Sequence, residues 1–145
     1  VTIIYDTMWN GTRRLAEAMA KGVSSGDRDI TVKVFNIARS DINDVVTEIF
    51  KSKGILLGSP TINRGILAAM ATLMEMMTGL KFKKKKAAAF GCYGWSGESV
   101  KVLGDGLEKA GFEIVQEPFK TLWEPEDDAL NAAMEFGRGF AEKIK

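Results

Sequence analysis

The first group of residues that could do chemistry lies between an apolar run, residues 1–5, and a stretch of helical period. A strand that runs directly into a helix brings free backbone N–H groups and the positive end of the helix dipole to one point. Thr7 and Thr12 add two hydroxyl donors, and Asn10-Gly11 permits a tight backbone path. This combination predicts a loop that binds a phosphate with neutral donors. Its candidate residues are Thr7, Met8, Trp9, Asn10, Gly11 and Thr12.

A loop of aromatic residues and glycines follows the fourth apolar run. Its glycines let the backbone approach a flat ligand, and Tyr93 or Trp95 can lie against the ring face. Trp95 could equally fill a gap beneath the loop, but a second tryptophan, Trp9, at the same sheet edge favours an aromatic slot. Cys92 is interpreted as core packing or a backbone contact rather than as a redox thiol. The candidate residues are Cys92, Tyr93, Gly94, Trp95, Ser96 and Gly97.

The loop after the third apolar run supplies the third side of the same slot, because the carboxyl ends of parallel strands meet at one edge of a sheet. Its polar backbone and side-chain groups would border a flat ligand, although a plain turn between strand and helix stays possible. Arg64 could stabilise the ring of such a ligand if the ring becomes negatively charged on reduction, or it could simply be solvated. The candidate residues are Pro60, Thr61, Ile62 and Asn63.

Composition and missing motifs exclude several classes of function. The 20 Lys and Arg nearly balance the 19 Asp and Glu, so the net charge does not indicate a nucleic-acid or membrane partner. No apolar run approaches the roughly 20 residues of a membrane span. The absence of His weakens any prediction of a His-ligated metal, so we nominate no metal ligand and no catalytic residue. The phosphate-loop motif of NTPases, G-x-x-x-x-G-K-[ST], is absent, and so is the dinucleotide-binding motif G-x-G-x-x-G after the first strand. Neither an NTPase nor a dinucleotide-binding site is therefore predicted. A single cysteine and the lack of a signal peptide favour a reducing cytoplasm.

Five strands alternating with five helical stretches predict repeated βα units around a parallel sheet, an α/β fold. A length of 145 residues predicts one domain over residues 1–145, and an opening directly on a strand is interpreted as the start of a fragment of a longer chain. Pro125 is predicted at the first position of the last helix. The predicted strands are residues 1–5, 30–35, 54–58, 87–92 and 112 to about 122.

The chain resembles the flavodoxin family along its whole length. The chain departs from the family's phosphate-loop signature at two positions. Asn10 stands where the family has Ala, Gly or Cys, and Met19 stands where it has a β-branched residue or Leu. The resemblance implies a flavodoxin-like three-layer sandwich with a five-stranded parallel sheet of order 2-1-3-4-5 and helices on both faces. It also implies that the chain binds FMN non-covalently and carries electrons with it. The matching signature residues are Ile3, Ile4, Tyr5, Thr7, Thr12 and Ala16.

Three motifs are more specifically similar to the flavodoxin domain of flavodiiron proteins, which reduce oxygen or nitric oxide. They read YDTMW from residue 5, GSPTIN from residue 58 and FGCYGWSG from residue 90. The resemblance implies that residues 7–12 hold the FMN phosphate, that residues 60–63 border the flavin, and that residues 93–97 flank the ring with Trp95 stacked on it.

The same resemblance implies partners for an electron relay. In that family the diiron centre lies in a separate metallo-β-lactamase-like domain of the parent chain. The expected donor is a redox protein such as rubredoxin or a reduced-nucleotide reductase, and the parent protein is expected to be a homodimer or larger.

Two other functions stay open. The chain could be a stand-alone flavodoxin-like NAD(P)H:quinone reductase, or a binding domain that has kept the fold without a flavin. Five lysines in residues 81–86 could dock an acidic donor but are interpreted as a solvated connector. Trp123 could cover the flavin or cap the core, and it is left out of the predicted site.

Overall fold

A parallel sheet forms the centre of the protein in the computed structural model, which describes residues 1–145. Five of its strands lie in the order β2-β1-β3-β4-β5, and a sixth strand, β6, pairs with β4. The predicted α/β fold and the strand order 2-1-3-4-5 are therefore confirmed. The strands are β1 Thr2–Tyr5, β2 Lys33–Asn36, β3 Gly54–Gly58, β4 Lys86–Tyr93, β5 Glu113–Ile114 and β6 Phe119–Leu122.

The last predicted strand is interrupted, which corrects the continuous strand expected from residue 112 to about 122. Both β5 and β6 run parallel to β4, where Ile114 pairs with Ala87 and Phe119 pairs with Phe90. Between these two pairs the chain advances five residues, from Ile114 to Phe119, whereas β4 advances three, from Ala87 to Phe90. Two extra residues therefore bulge out between β5 and β6. Pro118, directly before β6, has no N–H to donate to the ladder.

Two further boundaries differ from the sequence-based expectations. The second strand begins at Lys33 rather than at residue 30, because the Asp27 carboxylate accepts from Asp29 N and the Ile30 N–H donates to Asp27 O, which folds this stretch into a turn. Pro125 precedes the last helix instead of opening it. Glu126 has extended backbone angles and is the N-cap, so the helix begins at Asp127.

Five helices cover the two faces of the sheet. α1 and α5 pack on one face around Ile3, Leu56 and Phe90, whereas α2, α3 and α4 pack on the other around Ile4, Ile55 and Leu57. Strands covered on both faces are apolar throughout, as β3 is. The helices are α1 Gly11–Gly26, α2 Ile42–Lys51, α3 Ala68–Leu80, α4 Glu98–Lys109 and α5 Asp127–Lys143. None of them is both long enough and apolar enough to cross a membrane.

Part of the lysine run closes helix ends. Lys85 Nζ donates to the carbonyl oxygens of Phe50 and Ser52, at 2.9 and 2.6 Å, at the C-terminal end of α2. Lys86 Nζ donates to Lys143 O at 2.6 Å, at the end of α5. A cation at this position satisfies free carbonyls and complements the helix dipole. These two lysines are therefore structural caps, whereas the other lysines of the run are exposed.

Candidate functional site

A cavity of about 530 Å³ opens at the carboxyl ends of β1, β3 and β4. This is the edge of the sheet at which the sequence predicts a ligand, and the volume lies within the range of sites that hold small molecules. Eleven of the sixteen predicted site residues line it, together with Trp123 and Glu124. The predicted residues among the lining are Thr7, Met8, Trp9, Gly11, Thr12, Pro60, Thr61, Ile62, Cys92, Tyr93 and Gly94. The predicted residues outside the lining are Asn10, Asn63, Trp95, Ser96 and Gly97.

The N-terminal end of α1 faces the cavity without a cap of its own. Asn10 precedes the helix in the left-handed conformation, with φ 67°, and its side chain accepts no capping hydrogen bond. The first turn contains no acidic residue. Arg14 is the first residue of the helix whose N–H reaches a backbone acceptor, Asn10 O, and the N–H groups of residues 8–13 donate to no backbone group. These amides and the helix dipole are free to bind an anion.

Two buried hydroxyls point to the same conclusion. Thr7 Oγ1 and Thr12 Oγ1 are both shielded from solvent and have no hydrogen-bond partner in the protein, and Thr12 as a whole is 1% exposed. A buried polar group without a partner costs about 1–3 kcal/mol, so a ligand that accepts from both hydroxyls would recover this loss.

Cys92 forms the wall behind Thr12. Burial raises the pKa of its thiol to about 11, an effect that the neighbouring Thr12 hydroxyl offsets in part without reaching hydrogen-bond geometry. The thiol is therefore protonated at neutral pH, which agrees with its interpretation as packing. A Cβ at Gly11 would lie 3.2 Å from Cys92 Sγ and 3.3 Å from Pro125 Cδ, so only glycine fits here without displacing a neighbour.

Asp6 sets the position of the first loop. The residue is 5% exposed, and its carboxylate accepts from Thr7 N at 2.9 Å. Its own N–H donates to Gly58 O and extends the pairing with β3. Burial raises the pKa of this carboxyl, and the Thr7 N–H opposes that shift. Asp6 is not in the cavity wall, so it acts on the site through the backbone of Thr7.

A two-residue hairpin shapes the middle loop. Ile62 and Gly65 exchange both backbone hydrogen bonds, and the residues between them, Asn63 and Arg64, have φ of 49° and 61°. Two consecutive positive φ angles define a type I′ turn, which is uncommon for Arg at its second position. Pro60, Thr61 and Ile62 line the cavity, whereas Asn63 and Arg64 at the tip of the turn do not.

Hydrogen bonds tie the three loops together. Thr61 N donates to Cys92 O at 2.9 Å, and Thr61 Oγ1 accepts from Ser99 N at the start of α4. Ser59 is fully buried, donates to Pro60 O and accepts from Leu67 N, so its hydroxyl spans the turn into α3. The cavity walls are therefore held by backbone contacts before any ligand binds.

The aromatic wall differs from the predicted one in its composition. Trp9, Tyr93 and Trp123 line the cavity, whereas Trp95 lies outside it with 92% of its surface exposed. Trp123 N donates to Tyr93 O at 2.7 Å, and a Cβ on Gly94 would lie 3.1 Å from the Trp123 ring. The predicted contact of Trp95 with a flat ligand stays a prediction.

Sequence reasoning left out two residues of the wall, Trp123 and Glu124. Both follow β6, whose carboxyl end lies at the same sheet edge as the other loops. A tryptophan directly after the last predicted strand was the available signal, but the sequence left open whether it covers the flavin or caps the core. Glu124 also pairs with Arg14 of α1, at 3.3 Å.

The sequence model of the flavodoxin family matches residues 3–137. The chain belongs to the flavodoxin family. Membership implies that this flavodoxin-like domain binds FMN, and the domain fits an electron-transfer role.

The chain is similar to parts of longer redox proteins. The anaerobic nitric oxide reductase flavorubredoxin of Escherichia coli is 46% identical over 143 residues, which are 99% of this chain and 30% of that protein. Rubredoxin oxygen:oxidoreductase from Desulfovibrio gigas superposes with a TM-score of 0.93 at 31% identity, over 99% of this chain and 35% of that one. The Flv1 flavodiiron core from Synechocystis superposes with a TM-score of 0.90 at 27% identity, over 99% of this chain and 35% of that one. The flavodoxin-like domain therefore spans about a third of each of these relatives.

Proposed function

We propose that the cavity binds FMN and that the domain relays electrons from a redox donor protein to the diiron centre of a flavodiiron oxygen or nitric oxide reductase. The observation that carries the FMN site is the pair of buried hydroxyls, Thr7 and Thr12, which have no partner in the protein and lie beside an uncapped helix N-terminus. Both features fit a phosphate, which would accept from the hydroxyls and from the free amides.

The predicted site residues divide into two groups. Thr7, Asn10 and Thr12 and the amides of residues 8–13 would hold the phosphate. Residues 60–63 and 93–97 would border the ring, and the exposed Trp123 adds a second aromatic surface to that wall. No Lys or Arg lines the cavity, so neutral donors carry phosphate recognition.

The protein's contribution to the reaction is position and environment. Bound FMN supplies the redox chemistry, because its ring takes up electrons singly or as hydride. Trp9, Tyr93 and Trp123 would exclude water from the ring and fix its orientation, and the buried Asp6 would hold the phosphate loop in place. No side chain of the cavity needs to act as an acid, a base or a nucleophile, so we assign no catalytic residue.

The relay is supported by the relatives. The protein from Escherichia coli is named a nitric oxide reductase flavorubredoxin, and the one from Desulfovibrio gigas a rubredoxin oxygen:oxidoreductase. By this likeness, the acceptor is a diiron metallo-β-lactamase-like domain, the donor is a rubredoxin-type protein, and the parent protein is an assembly of two or more copies in the cytoplasm. The terminal substrate is then oxygen or nitric oxide.

Titration of the purified, flavin-free chain tests the phosphate site. FMN is expected to bind, and Thr12→Val is expected to weaken FMN by roughly tenfold to a hundredfold, the worth of a hydrogen bond to a charged group, while riboflavin affinity stays unchanged. Thr72→Val on the exposed face of α3 is the matched control and is expected to change neither affinity. Equal losses for FMN and riboflavin would move the phosphate away from this loop.

Anaerobic rapid mixing tests the relay. Reduced rubredoxin is expected to bleach the bound flavin, whereas NADH or NADPH alone is expected to leave it oxidised. Rapid bleaching by the nicotinamide alone would instead identify a quinone reductase. A preparation that acquires no flavin spectrum on addition of FMN would leave only a flavin-free binding domain.

A further inference from the structure

Lys120 lies over one of the aromatic rings of the proposed FMN site. In the pairing of β4 with β6, Tyr93 stands opposite Leu122, and Lys120 is two residues earlier on the same face of the sheet. Lys120 Nζ is 5.9 Å from the centre of the Tyr93 ring, within the range of a cation–π contact. Tyr93 lines the cavity and Lys120 does not, so Lys120 can act on a ligand there through its contact with the Tyr93 ring.

The loop around Tyr93 keeps Lys120 in this position. A Cβ on Gly97 would lie 3.2 Å from Lys120 Cδ and 3.4 Å from Tyr93 Cδ1, so the lysine stem packs against the turn that follows Tyr93. A Cβ at residue 97 would make a tight contact with the lysine stem, which would have to shift slightly. The end of β6 therefore offers the ammonium group a defined place beside the site.

Lys120 is one of two cations near the Glu98 carboxylate. The nearby Ser96 hydroxyl, the backbone N–H of Glu98 and the charges of Arg64 and Lys120 lower the pKa of this carboxyl. On another side of the cavity, Glu124 is paired with Arg14. Lys120 therefore places a positive charge beside Tyr93.

A positive charge at this place would distinguish the two redox states of FMN. Reduction by two electrons with uptake of one proton adds one negative charge to a ring that is neutral when oxidised. The protein tunes a bound flavin through charges near its ring. A cation held near Tyr93 favours the charged form over the neutral one.

We propose that Lys120 is a positioning residue for electron transfer, which acts through Tyr93 to make the domain bind two-electron-reduced FMN more tightly relative to oxidised FMN. This role rests on the proposed function, because it requires the flavin ring to lie against Tyr93. Lys120 would then determine the two-electron reduction potential of the bound FMN rather than the recognition of FMN.

The test compares the wild-type chain with Lys120→Gln, which removes the charge, and Lys120→Arg, which keeps it. Lys83→Gln is the matched control, since it removes an exposed lysine at the opposite end of β4. Dissociation constants are measured anaerobically for oxidised FMN and for FMN reduced with sodium dithionite, which supplies both electrons, and the midpoint potential is measured by titration with a redox dye at slightly alkaline pH.

Lys120→Gln is expected to weaken reduced FMN by about fivefold to tenfold while the affinity for oxidised FMN stays within twofold, and a tenfold change lowers the two-electron potential by about 30 mV. Lys120→Arg is expected to keep most of the wild-type preference for reduced over oxidised FMN, and Lys83→Gln is expected to leave this preference unchanged. Equal weakening of both redox states by Lys120→Gln would mean a purely structural role, and an unchanged ratio would mean no role, so either result overturns the inference. Failure of the wild-type chain to bind FMN would instead overturn the proposed function, and this is read directly from the first titration.

Discussion

Gly22 in α1 lies directly against the carbonyl oxygen of Met134 in α5, so closely that a Cβ on Gly22 would overlap it. The contact is reciprocal, because a Cβ on Gly137 of α5 would overlap the carbonyl oxygen of Met19 in α1. The two helices thus pack backbone to backbone through a pair of glycines. Since α1 carries the proposed phosphate loop at its N-terminal end, this packing fixes where the loop stands on the sheet.

Gly22→Ala is expected to destabilise the chain by about 1–3 kcal/mol, because the new methyl group must push two helix backbones apart. The measurement is the free energy of unfolding in urea. Gly104→Ala in α4 is the matched control, since nothing lies within 4 Å of the added Cβ. It is expected to stabilise the chain by roughly 0.5–1 kcal/mol through the higher helix propensity of alanine. A loss at Gly104 as large as that at Gly22 would contradict this account of the packing.

Trp95→Ala is expected to weaken FMN by about tenfold if the predicted ring contact forms, which corresponds to about 1.4 kcal/mol. Because Trp95 is almost fully exposed, its removal is expected to leave the melting temperature of the flavin-free chain unchanged, so a loss of affinity reports the contact alone. Trp123→Ala provides the comparison, since Trp123 already lines the cavity. Isothermal titration with FMN measures both, and an unchanged affinity for Trp95→Ala would exclude this residue from the site.

Asp6→Asn is expected to stabilise the chain near neutral pH and to lose this advantage as the pH falls. Burial raises the folded-state pKa of Asp6 above its ordinary value of 3.8, so the ionised carboxylate is disfavoured in the folded state. The contribution of Asp6 to stability is therefore largest below the ordinary value and is lost as the pH rises through the folded-state pKa. Asn keeps the acceptor for Thr7 N–H without the charge.

Urea unfolding of the wild type and of Asp6→Asn at several pH values between about 3 and 7 measures this difference, which follows from linkage of proton binding to folding. Asp29→Asn, at an exposed position in the turn before β2, is the control and is expected to follow the wild type. A difference between Asp6→Asn and the wild type that stays constant over the whole range would show that desolvation of the carboxylate is not its cause.

Lys85→Met is expected to cost about 1 kcal/mol or more of unfolding free energy, because the carbonyl oxygens of Phe50 and Ser52 both lose their charged donor. Lys83→Met, two residues earlier and exposed, is expected to change the unfolding free energy by less than about 0.5 kcal/mol. Chemical denaturation of the two variants gives the comparison. Similar values for both would mean that the lysine run is a solvated connector throughout, as its sequence alone suggests.

Local sequence was sufficient to predict an anion site in the first loop. The strand, the loop and the start of α1 are consecutive in the chain, so the types and spacing of Thr7 and Thr12 predict an anion site without any knowledge of distant residues. The same holds for β3, whose residues are apolar throughout because both faces are covered. The order of the strands followed from the resemblance to flavodoxins, and the structure confirms it.

The tertiary structure alone decided which side chains from distant segments meet. Trp95 and Trp123 look alike in the sequence, yet only Trp123 lines the cavity, because the bulge between β5 and β6 sets where the last strand ends beside β4. Lys85 and Lys83 are equally charged, and only the packing of α2 brings carbonyl oxygens within reach of Lys85. Periodicity and residue type report the conformation of a continuous segment, whereas these contacts depend on loop lengths and strand register across the whole sheet.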